Sequence, residues 1–325
     1  MTDLLHLTDD IRAGGVMTNV RSMKTFDLEL GAIQRVTEVT PDSVLAARAF
    51  QADIIVVHFS LAWRKLPFLV ALRALNRNAL LILQEHHYSP EHFEDEPAAL
   101  KRFRLLVRST FPLFDRVLAV SNAQAQWYEE LGSSPTGTAP PLANLDDLLE
   151  LPEKIKSSHT VVGVSGRLEQ AKGIDLLLAA IRNNNDRCIH FLIAGDGELR
   201  KAVKKTASNR ENVSYFGCYD HPETFLSRCD QVAIPSRLDT FGLSALEAKA
   251  AGKPIVVTQT CGLTEQAKSC GVVVERNSPE SLLRGISQLK RNNKNGELGR
   301  NARSSAKTHN MNSLEIWRQQ LQLKR

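Results

Sequence analysis

The sequence predicts an α/β protein built from two Rossmann-like, doubly wound parallel sheets. The chain has 325 residues, a length that corresponds to about two ordinary domains. Short apolar runs alternate with amphipathic helical patterns throughout, as in βαβ units. Turn-rich segments at residues 133–141 and 152–158 interrupt this alternation. We therefore expect an N-terminal domain over residues 1–145 and a C-terminal domain over residues 155–307.

In the first half, four apolar runs predict strands and five amphipathic stretches predict helices. The strands are predicted at residues 4–7, 54–58, 80–84 and 116–120. The helices are predicted at residues 16–24, 41–50, 66–76, 98–110 and 123–131. Little sequence remains between residues 25 and 41 for a further element.

The second half repeats this alternation without repeating the sequence. Its strands are predicted at residues 160–164, 190–193, 213–216, 231–234, 254–257 and 271–274. Its helices are predicted at residues 174–182, 197–207, 222–228, 243–251 and 279–291, followed by a polar loop at 292–295 and a last helix at 314–323.

Composition excludes several classes of protein. Hydrophobic residues make up 42% and charged residues 24% of the chain, which excludes wholesale disorder. Basic residues exceed acidic ones only in the second half, which favours an anionic ligand such as a nucleotide there. Aromatic residues are too few, at 6%, for a nucleic-acid surface. The five cysteines form no CxxC pair, and we find no signal peptide or membrane span, so we expect a cytoplasmic protein.

The segment at residues 235–254, PSRLDTFGLSALEAKAAGKP, is the strongest candidate site. It lies between two predicted strands and contains a predicted helix. Gly242 begins that helix, where backbone amides and the helix dipole favour an anion. Asp239 and Glu247 are spaced so that both carboxylates can reach one cleft and accept hydrogen bonds from sugar hydroxyls. The alternative is a helix cap together with a solvated glutamate.

This segment resembles the donor-site signature of glycosyltransferase family 4, retaining sugar transferases of the GT-B fold. The family pattern is Pro-Ser, then Glu-x-Phe-Gly-Leu, then Glu followed by Ala-x-Ala-x-Gly-x-Pro. The matching positions are Pro235, Ser236, Phe241, Gly242, Leu243, Glu247, Ala248, Ala250, Gly252 and Pro254. Asp239 replaces the first glutamate of the family, which keeps the carboxylate but shortens its reach. The resemblance implies a catalytic role for Asp239 and donor contacts for Phe241, Gly242, Leu243 and Glu247.

A second segment, VSGRLEQAKGID, agrees with the family in order and spacing. It resembles the stretch in which an arginine and a lysine hold the donor diphosphate, which implies catalytic roles for Arg167 and Lys172. Two fixed cations suit this task because they neutralise a leaving nucleoside diphosphate. Without the resemblance, both side chains would be interpreted as surface charge.

Two further segments resemble the nucleotide-contacting parts of the family. IAGDGELR, with Gly195 and Gly197, resembles the strand-to-helix turn beside the nucleotide, although a tight αβ turn would have the same glycines. Tyr219, in YFGCY, lies where the family contacts the base.

The first half resembles the family more loosely. Gly14 and Gly15 match a glycine-rich loop that follows the first strand and approaches the donor phosphate. His86 matches a histidine at the acceptor cleft, at the end of a strand where ligands bind in open α/β sheets. The adjacent His87 could suggest a metal site, but neighbours on a strand point to opposite faces. We therefore expect no metal ligands.

The resemblance implies two Rossmann-like domains that face a cleft, with residues 308–325 packing back on the first. It implies a retaining, metal-independent hexosyltransferase that moves a sugar from a UDP- or GDP-sugar to an acceptor hydroxyl. The expected pathway is cell-envelope polysaccharide, lipopolysaccharide or glycolipid biosynthesis, with a saccharide or lipid-linked acceptor and no cofactor. The alternative is a non-catalytic nucleotide-sugar-binding or scaffold subunit of the same fold.

Two basic, apolar stretches predict peripheral binding to an anionic membrane at the inner face of the cell membrane. Residues 63–77 carry Arg64, Lys65 and two more arginines, and residues 101–116 carry Arg102, Arg104 and three more cations. Basic amphipathic helices with aromatic residues bind such surfaces. The alternative is that both helices pack on the sheet with solvated basic faces.

Overall fold

The chain divides into two compact units in the computed structural model. Unit 1 comprises Met1–Ala143 and Asn310–Arg325, and unit 2 comprises Asn144–His309. The structure describes residues 2–9, 14–153, 159–292 and 296–322. Parts of the predicted glycine-rich loop, linker, polar loop and last helix, at residues 10–13, 154–158, 293–295 and 323, lie outside the described residues.

Unit 1 is one six-stranded parallel sheet covered by helices. Its strands are β1 (Thr2–Thr8), β2 (Ala32–Glu38), β3 (Ile54–Val57), β4 (Leu80–Glu85), β5 (Arg116–Ala119) and β6 (Gly137–Thr138). Its helices are α1 (Gly15–Lys24), α2 (Asp27–Leu30), α3 (Leu66–Leu75), α4 (Pro97–Thr110) and α5 (Asn122–Glu130). The strand order is β2-β1-β3-β4-β5-β6.

The apolar strands of unit 1 are buried on both faces, as expected for a parallel sheet between helices. One apolar cluster joins Leu5 to Phe68 of α3 and Phe103 of α4. A second cluster joins Leu4 to Met23 of α1 and Trp317 near the chain end. The sheet is thus fixed by cores on both sides.

The prediction for unit 1 is wrong at residues 41–50, and it lacks β2, β6 and α2. The helix predicted at residues 41–50 is only a 3₁₀ turn at Val44–Ala46. The Asn76 side chain explains this, because its Oδ1 accepts from Phe50 N at 2.7 Å and its Nδ2 donates to Arg48 O at 2.9 Å, which holds that backbone extended. Strand β2 was missed because Gln34, Arg35 and Thr37 interrupt its apolar pattern at the sheet edge.

Unit 2 is also a six-stranded parallel sheet between helices. Its strands are β7 (Thr160–Ser165), β8 (Ile189–Ala194), β9 (Val213–Gly217), β10 (Gln231–Ile234), β11 (Ile255–Thr258) and β12 (Gly271–Val274), in the order β12-β11-β10-β7-β8-β9. Its helices are α6 (Asp146–Leu149), α7 (Ile174–Asn183), α8 (Arg200–Asn209), α9 (Pro222–Leu226), α10 (Leu243–Ala250), α11 (Cys261–Gln266), α12 (Pro279–Asn292) and α13 (Glu297–Lys307). Helices α6, α11 and α13 were not predicted.

The last helix, α14 (His309–Leu321), packs on the sheet of unit 1. Trp317 is completely buried in the cluster with Leu4. Arg318 Nε donates to Glu29 O at 2.7 Å. A segment that follows unit 2 in sequence is therefore part of the core of unit 1.

In the described part of the chain, every helix is too short or too polar to cross a bilayer.

Candidate functional site

The switch point of unit 2 lies between β7 and β10. These strands are neighbours, and the chain proceeds from β7 to β8 and β9 on one side and later from β10 to β11 and β12 on the other. Open α/β sheets bind ligands outside the carboxyl ends of the strands at such a point. The loops that follow β7 and β10 carry Lys172 and Asp239.

Lys172 and Asp239 form an ion pair at this switch point. Lys172 Nζ donates to Asp239 Oδ2 at 2.8 Å, and the exposed fractions of the two side chains are 31% and 11%. The structure therefore brings together the predicted diphosphate cation and the predicted sugar carboxylate. Because Lys172 remains partly exposed, its ammonium can exchange a carboxylate partner for a phosphate oxygen.

Arg237 holds the Lys172 turn in place, a role that the sequence analysis missed. Its guanidinium forms two hydrogen bonds with Asp175, at 2.7 and 2.8 Å, and its Nε donates to Asn277 Oδ1 at 2.7 Å. Its backbone N donates to Ala171 O at 2.9 Å. The hydrogen bond from Arg237 lowers the pKa of Asp175. The only sequence signal was an arginine after a buried strand, two residues before Asp239.

Gly173 allows the same turn to approach the loop after β10. Its φ is 67°, in the left-handed region. A Cβ at this position would lie 1.9 Å from Pro235 O. The Lys172 backbone is therefore held against the loop that carries Asp239 by a contact that only glycine permits.

Gly242 is the N-cap of helix α10, in agreement with the predicted helix start, and the helix carries Glu247. Gly242 has φ 88°, and its O accepts from Ala245 N at 3.0 Å. The Glu247 side chain is half-buried, and removal of water raises the pKa of its carboxyl group to about 7. Among the described residues, none donates a hydrogen bond to this carboxyl group. Glu247 is therefore ready to accept hydrogen bonds from a ligand.

Phe241 and Leu243 flank Gly242. Phe241 is buried against His309, with ring centroids 5.5 Å apart. Leu243 is half-buried. The predicted donor contacts of Phe241 and Leu243 stay predictions.

Arg167 has an ion-pair partner within its own loop. Its Nη1 lies 3.0 Å from Glu169 Oε2, and its side chain is 63% exposed. Among the described residues, no hydrogen bond or ion pair joins the Arg167 side chain to Lys172 or Asp239. Its role toward a diphosphate stays a prediction that requires the guanidinium to leave Glu169.

Gly195 and Gly197 bring two loops into close contact. A Cβ at Gly195 would lie 1.8 Å from Gly166 O, and one at Gly197 would lie 2.7 Å from Leu168 O. Leu168 N also donates to Asp196 O at 2.7 Å. The geometry by itself explains both glycines by loop packing, and their nucleotide contact stays a prediction.

Tyr219 packs in an aromatic group beside β9. Its ring stacks on Phe225, with centroids 5.4 Å apart and an interplanar angle of 11°. Burial raises the pKa of Tyr219 to about 12, against the opposing effect of a hydrogen bond with Ser165. One ring face is thus covered by Phe225.

Unit 1 has its own switch point between β1 and β3. Gly14 and Gly15 are exposed at the start of α1, which follows β1. His86 follows β4, and its Nε2 lies 3.1 Å from His58 Nδ1. Burial lowers the pKa of His86 to about 3. Gly14, Gly15 and His86 therefore belong to a different unit from Lys172 and Asp239.

The buried Glu85 carboxylate shapes the turn that carries His86. Its Oε1 accepts from His87 N at 2.6 Å and from Tyr88 N at 3.2 Å. Its Oε2 is buried without a hydrogen-bond partner among the described residues. Such an unpaired buried oxygen is unusual in a native structure.

The predicted membrane surface requires a correction, because part of its charge is internally paired. Lys65 is only 3% exposed, and its Nζ donates to Asp9 Oδ2 at 2.7 Å. Arg64 Nε donates to Asp42 Oδ1 at 2.9 Å. Four cations of α4 are exposed and have no ion-pair partner among the described residues. They are Lys101, Arg102, Arg104 and Arg108.

Lys172 and Asp239 both lie within a segment of the chain that matches a known family model. Residues 150–308 match the family model of glycosyl transferases group 1. The O-antigen biosynthesis glycosyltransferase WclY of Escherichia coli is 28% identical over 141 residues, which are 42% of this chain and 39% of that protein. A glycogen synthase of Thermus thermophilus is 31% identical over 136 residues, 40% of this chain and 31% of that protein. The chain thus matches about two fifths or less of each relative's length.

Solved structures resemble nearly the whole chain. Sucrose-phosphate synthase from Thermosynechococcus elongatus aligns with a TM-score of 0.79 at 17% identity, over 99% of this chain and 98% of that one. Anabaena HepE in complex with UDP-glucose aligns with a TM-score of 0.74 at 19% identity, over 99% of each chain. Identities this low establish the fold alone. The two-sheet α/β architecture is the GT-B fold that the sequence predicted.

Proposed function

We propose that this chain is a retaining glycosyltransferase, because residues 150–308 match the family model of glycosyl transferases group 1. It moves a hexose from a nucleotide-sugar to an acceptor hydroxyl. The observation that carries the proposal is the Lys172–Asp239 ion pair at the switch point of unit 2, inside the matched segment. This pair combines a cation for a leaving diphosphate with a carboxylate for a sugar hydroxyl.

The proposed catalysis depends on stabilising the negative charge of the leaving nucleoside diphosphate. Departure of the nucleoside diphosphate places negative charge on its terminal phosphate. Lys172 and the amides at the start of α10 stabilise that charge without rearrangement of the backbone. Asp239, freed from Lys172, accepts a hydrogen bond from the donor sugar. Glu247 accepts hydrogen bonds from the ribose, which favours its ionised form.

Relatives support a finer proposal for the substrates. HepE has been crystallised with UDP and UDP-glucose, which favours a uridine diphosphate sugar over a guanosine diphosphate sugar. WclY is named for O-antigen biosynthesis, which favours a saccharide or lipid-linked acceptor of the cell envelope. We place the reaction in the cytoplasm, with the exposed cations of α4 directed to an anionic membrane surface.

The transfer requires no metal and no cofactor in this proposal, since Lys172 and the α10 amides supply the positive charge. Turnover is expected to persist after treatment with a chelator. Activity that is lost with the chelator and restored by Mg²⁺ or Mn²⁺ would contradict the metal-independent mechanism.

The experiment that tests the function measures release of nucleoside diphosphate from a panel of UDP- and GDP-sugars. Cell-extract acceptors are added, and product is detected by transfer of radiolabelled sugar. Acceptor-dependent release with transfer supports the proposal. Donor binding without transfer on every donor and acceptor tested would instead support the non-catalytic binding subunit.

A further inference from the structure

A buried carboxylate and a half-buried imidazole lie close together where β4 ends in unit 1. Glu85, the last residue of β4, is 1% exposed. Its Oε1 lies 3.7 Å from His87 Nδ1, and the His87 side chain is 32% exposed. Glu85 Oε2 and His87 Nδ1 are both buried, and neither has a hydrogen-bond partner among the described residues. This turn therefore withdraws two polar atoms from water without satisfying either, at a cost to stability.

Hydrogen bonds hold the backbone of this turn in place. Glu85 Oε1 accepts from His87 N at 2.6 Å and from Tyr88 N at 3.2 Å. Tyr88 Oη donates to Leu61 O at 2.7 Å, in the loop that follows β3. Gln124 Nε2 of α5 donates to Tyr88 O at 2.8 Å. The imidazole of His87 is thus carried by a preorganised backbone, as a binding residue requires.

The charge of Glu85 decides which nitrogen of a neutral His87 ring carries the proton. The distance of 3.7 Å is too long for a hydrogen bond, but buried atoms this close interact with little screening by water. A bare Nδ1 would set a lone pair against the carboxylate, whereas an Nδ1–H group places a partial positive charge there. The Nδ1–H tautomer is therefore favoured here, although a free imidazole side chain in water carries its proton more often on Nε2.

With the proton on Nδ1, the other ring nitrogen of His87 is a hydrogen-bond acceptor. Because Nδ1 is buried, the exposed part of the side chain lies elsewhere on it. Among the described residues, none forms a hydrogen bond with His87 Nε2. The carboxyl end of β4, beside that of β3, belongs to the edge at which open α/β sheets bind ligands. Nε2 is thus an unused acceptor at the ligand-binding edge of unit 1.

The electrostatics of this pair select the chemical class of the ligand. A neutral ring with a bare Nε2, beside a buried carboxylate, repels an anion such as a phosphate. It attracts a neutral group that donates a hydrogen bond, such as a sugar hydroxyl. In this respect it differs from the unit 2 site, where Lys172 offers a cation.

We propose that His87 Nε2 accepts a hydrogen bond from a hydroxyl group of the acceptor saccharide, and that Glu85 is a positioning residue that holds His87 in its Nδ1–H tautomer. The assignment of this hydroxyl to the acceptor saccharide rests on the proposed function, in which unit 2 binds the donor. The tautomer does not rest on it, because it follows from a contact within one turn of unit 1.

Nitrogen-15 NMR of the full chain, labelled at histidine, measures the tautomer without substrate. The His87 signals are assigned by their loss in His87→Asn. At pH 8, where an ordinary imidazole is neutral, we expect a proton on Nδ1 and a bare Nε2. Glu85→Gln removes the charge and should shift the population toward the Nε2–H form. A wild-type ring that is charged at pH 8, or that carries its proton mainly on Nε2, would overturn the inference, and this result does not depend on the folding of any variant.

Two amide substitutions test the hydroxyl contact through the kinetics. His87→Gln keeps an acceptor oxygen near the position of Nε2, whereas the shorter side chain of His87→Asn reaches only the position of Nδ1. The acceptor fraction of the cell extract is diluted in steps at saturating donor, and transfer of radiolabelled sugar is measured. His87→Asn should raise the apparent KM for this acceptor by about tenfold, as expected for one lost hydrogen bond, and His87→Gln should retain most of the affinity. The KM for the donor should change by less than about twofold in both variants.

His221→Asn is the matched control in unit 2. His221 also lies beside a glutamate two residues away, with its Nδ1 3.1 Å from Glu223 Oε1, but its side chain is 74% exposed. This variant should leave the KM for acceptor and donor unchanged. An equal acceptor KM for His87→Asn and His221→Asn would overturn the hydroxyl contact. A wild type with the expected tautomer that transfers sugar to no acceptor would contradict the proposed function, and with it the ligand, but not the positioning of His87 by Glu85.

Discussion

At the scale of single residues, the proposed ligand of unit 2 depends on the Lys172–Asp239 pair. Asp239 is largely buried, and Lys172 is the cation that balances its charge. A ligand that offers both a phosphate and a hydroxyl can give each residue of this ion pair a new partner. Lys172 would bind the phosphate, and Asp239 would accept a hydrogen bond from the hydroxyl. A ligand with only one of these groups would leave the other half unpaired, at a cost. In the proposed function, the pair therefore favours a sugar diphosphate over a simple phosphate.

Lys172→Ala should reduce turnover at least about tenfold, because the leaving diphosphate loses a fixed cation. Lys205→Ala, an exposed lysine of α8, is the matched control and should retain wild-type turnover. The measurement is the initial rate of nucleoside diphosphate release at saturating donor. Equal rates for the two variants would remove Lys172 from the site.

Glu247 should make stability depend on pH. The folded protein holds its proton up to a pKa of about 7, whereas the unfolded chain releases it near the ordinary value. Stability of the wild type should therefore fall as pH rises from about 4.5 to about 7, and Glu247→Gln should avoid this loss. Urea unfolding should show the variant gaining on the order of 1 kcal/mol over the wild type between these pH values.

The control for this measurement is Glu211→Gln, at an exposed position of unit 2, which should show no such pH dependence. A stability difference between Glu247→Gln and the wild type that stays constant from acid to neutral pH would contradict the raised pKa.

At the scale of elements, the turn that carries Lys172 depends on Gly173. Gly173→Ala forces a Cβ against Pro235 O in a left-handed backbone, and should destabilise the chain by about 2–4 kcal/mol. Gly217→Ala is the matched control, since Gly217 also has positive φ but has open space around a Cβ; it should cost about 1 kcal/mol. Urea unfolding monitored by circular dichroism gives both values. Equal losses would show that backbone strain alone accounts for the effect.

Helix α4 is the element that should contact an anionic bilayer. Arg102, Arg104 and Leu105 are exposed on it, and nearby cations contribute about 1 kcal/mol each. Reversal of Arg102 and Arg104 to glutamate should weaken sedimentation with phosphatidylglycerol vesicles at low salt by tenfold or more. Replacement of Lys201 and Lys205 on α8 by glutamate is the control and should have little effect on sedimentation with these vesicles. Failure of the wild type to sediment would exclude this membrane surface.

At the scale of the whole molecule, helix α14 contributes Trp317 to the core of unit 1, where it packs with Leu4 of β1. Trp317→Ala should destabilise unit 1 by about 3–5 kcal/mol, because it opens a cavity beside Leu4. UDP affinity, measured by calorimetry below the melting temperature, should change by less than about twofold, since the Lys172 site belongs to unit 2. Met311→Ala is the control on the same helix, because Met311 is 70% exposed. Equal stability losses from both substitutions would contradict the buried role of Trp317.

The sequence by itself determined ten of the twelve described strands, all except β2 and β6, together with the helices that carry strong periodicity and the segment that contains Asp239 and Glu247. These features are local, since a buried strand needs consecutive apolar residues and a helix start needs a residue such as Gly242. Only the tertiary structure decided which strand ends are neighbours. It paired Lys172 with Asp239, bound Arg237 to Asp175, withdrew Lys65 from the surface and brought His58 beside His86. The physical reason is that these contacts join residues far apart in sequence, and the order of strands in a parallel sheet is set by the packing of whole elements.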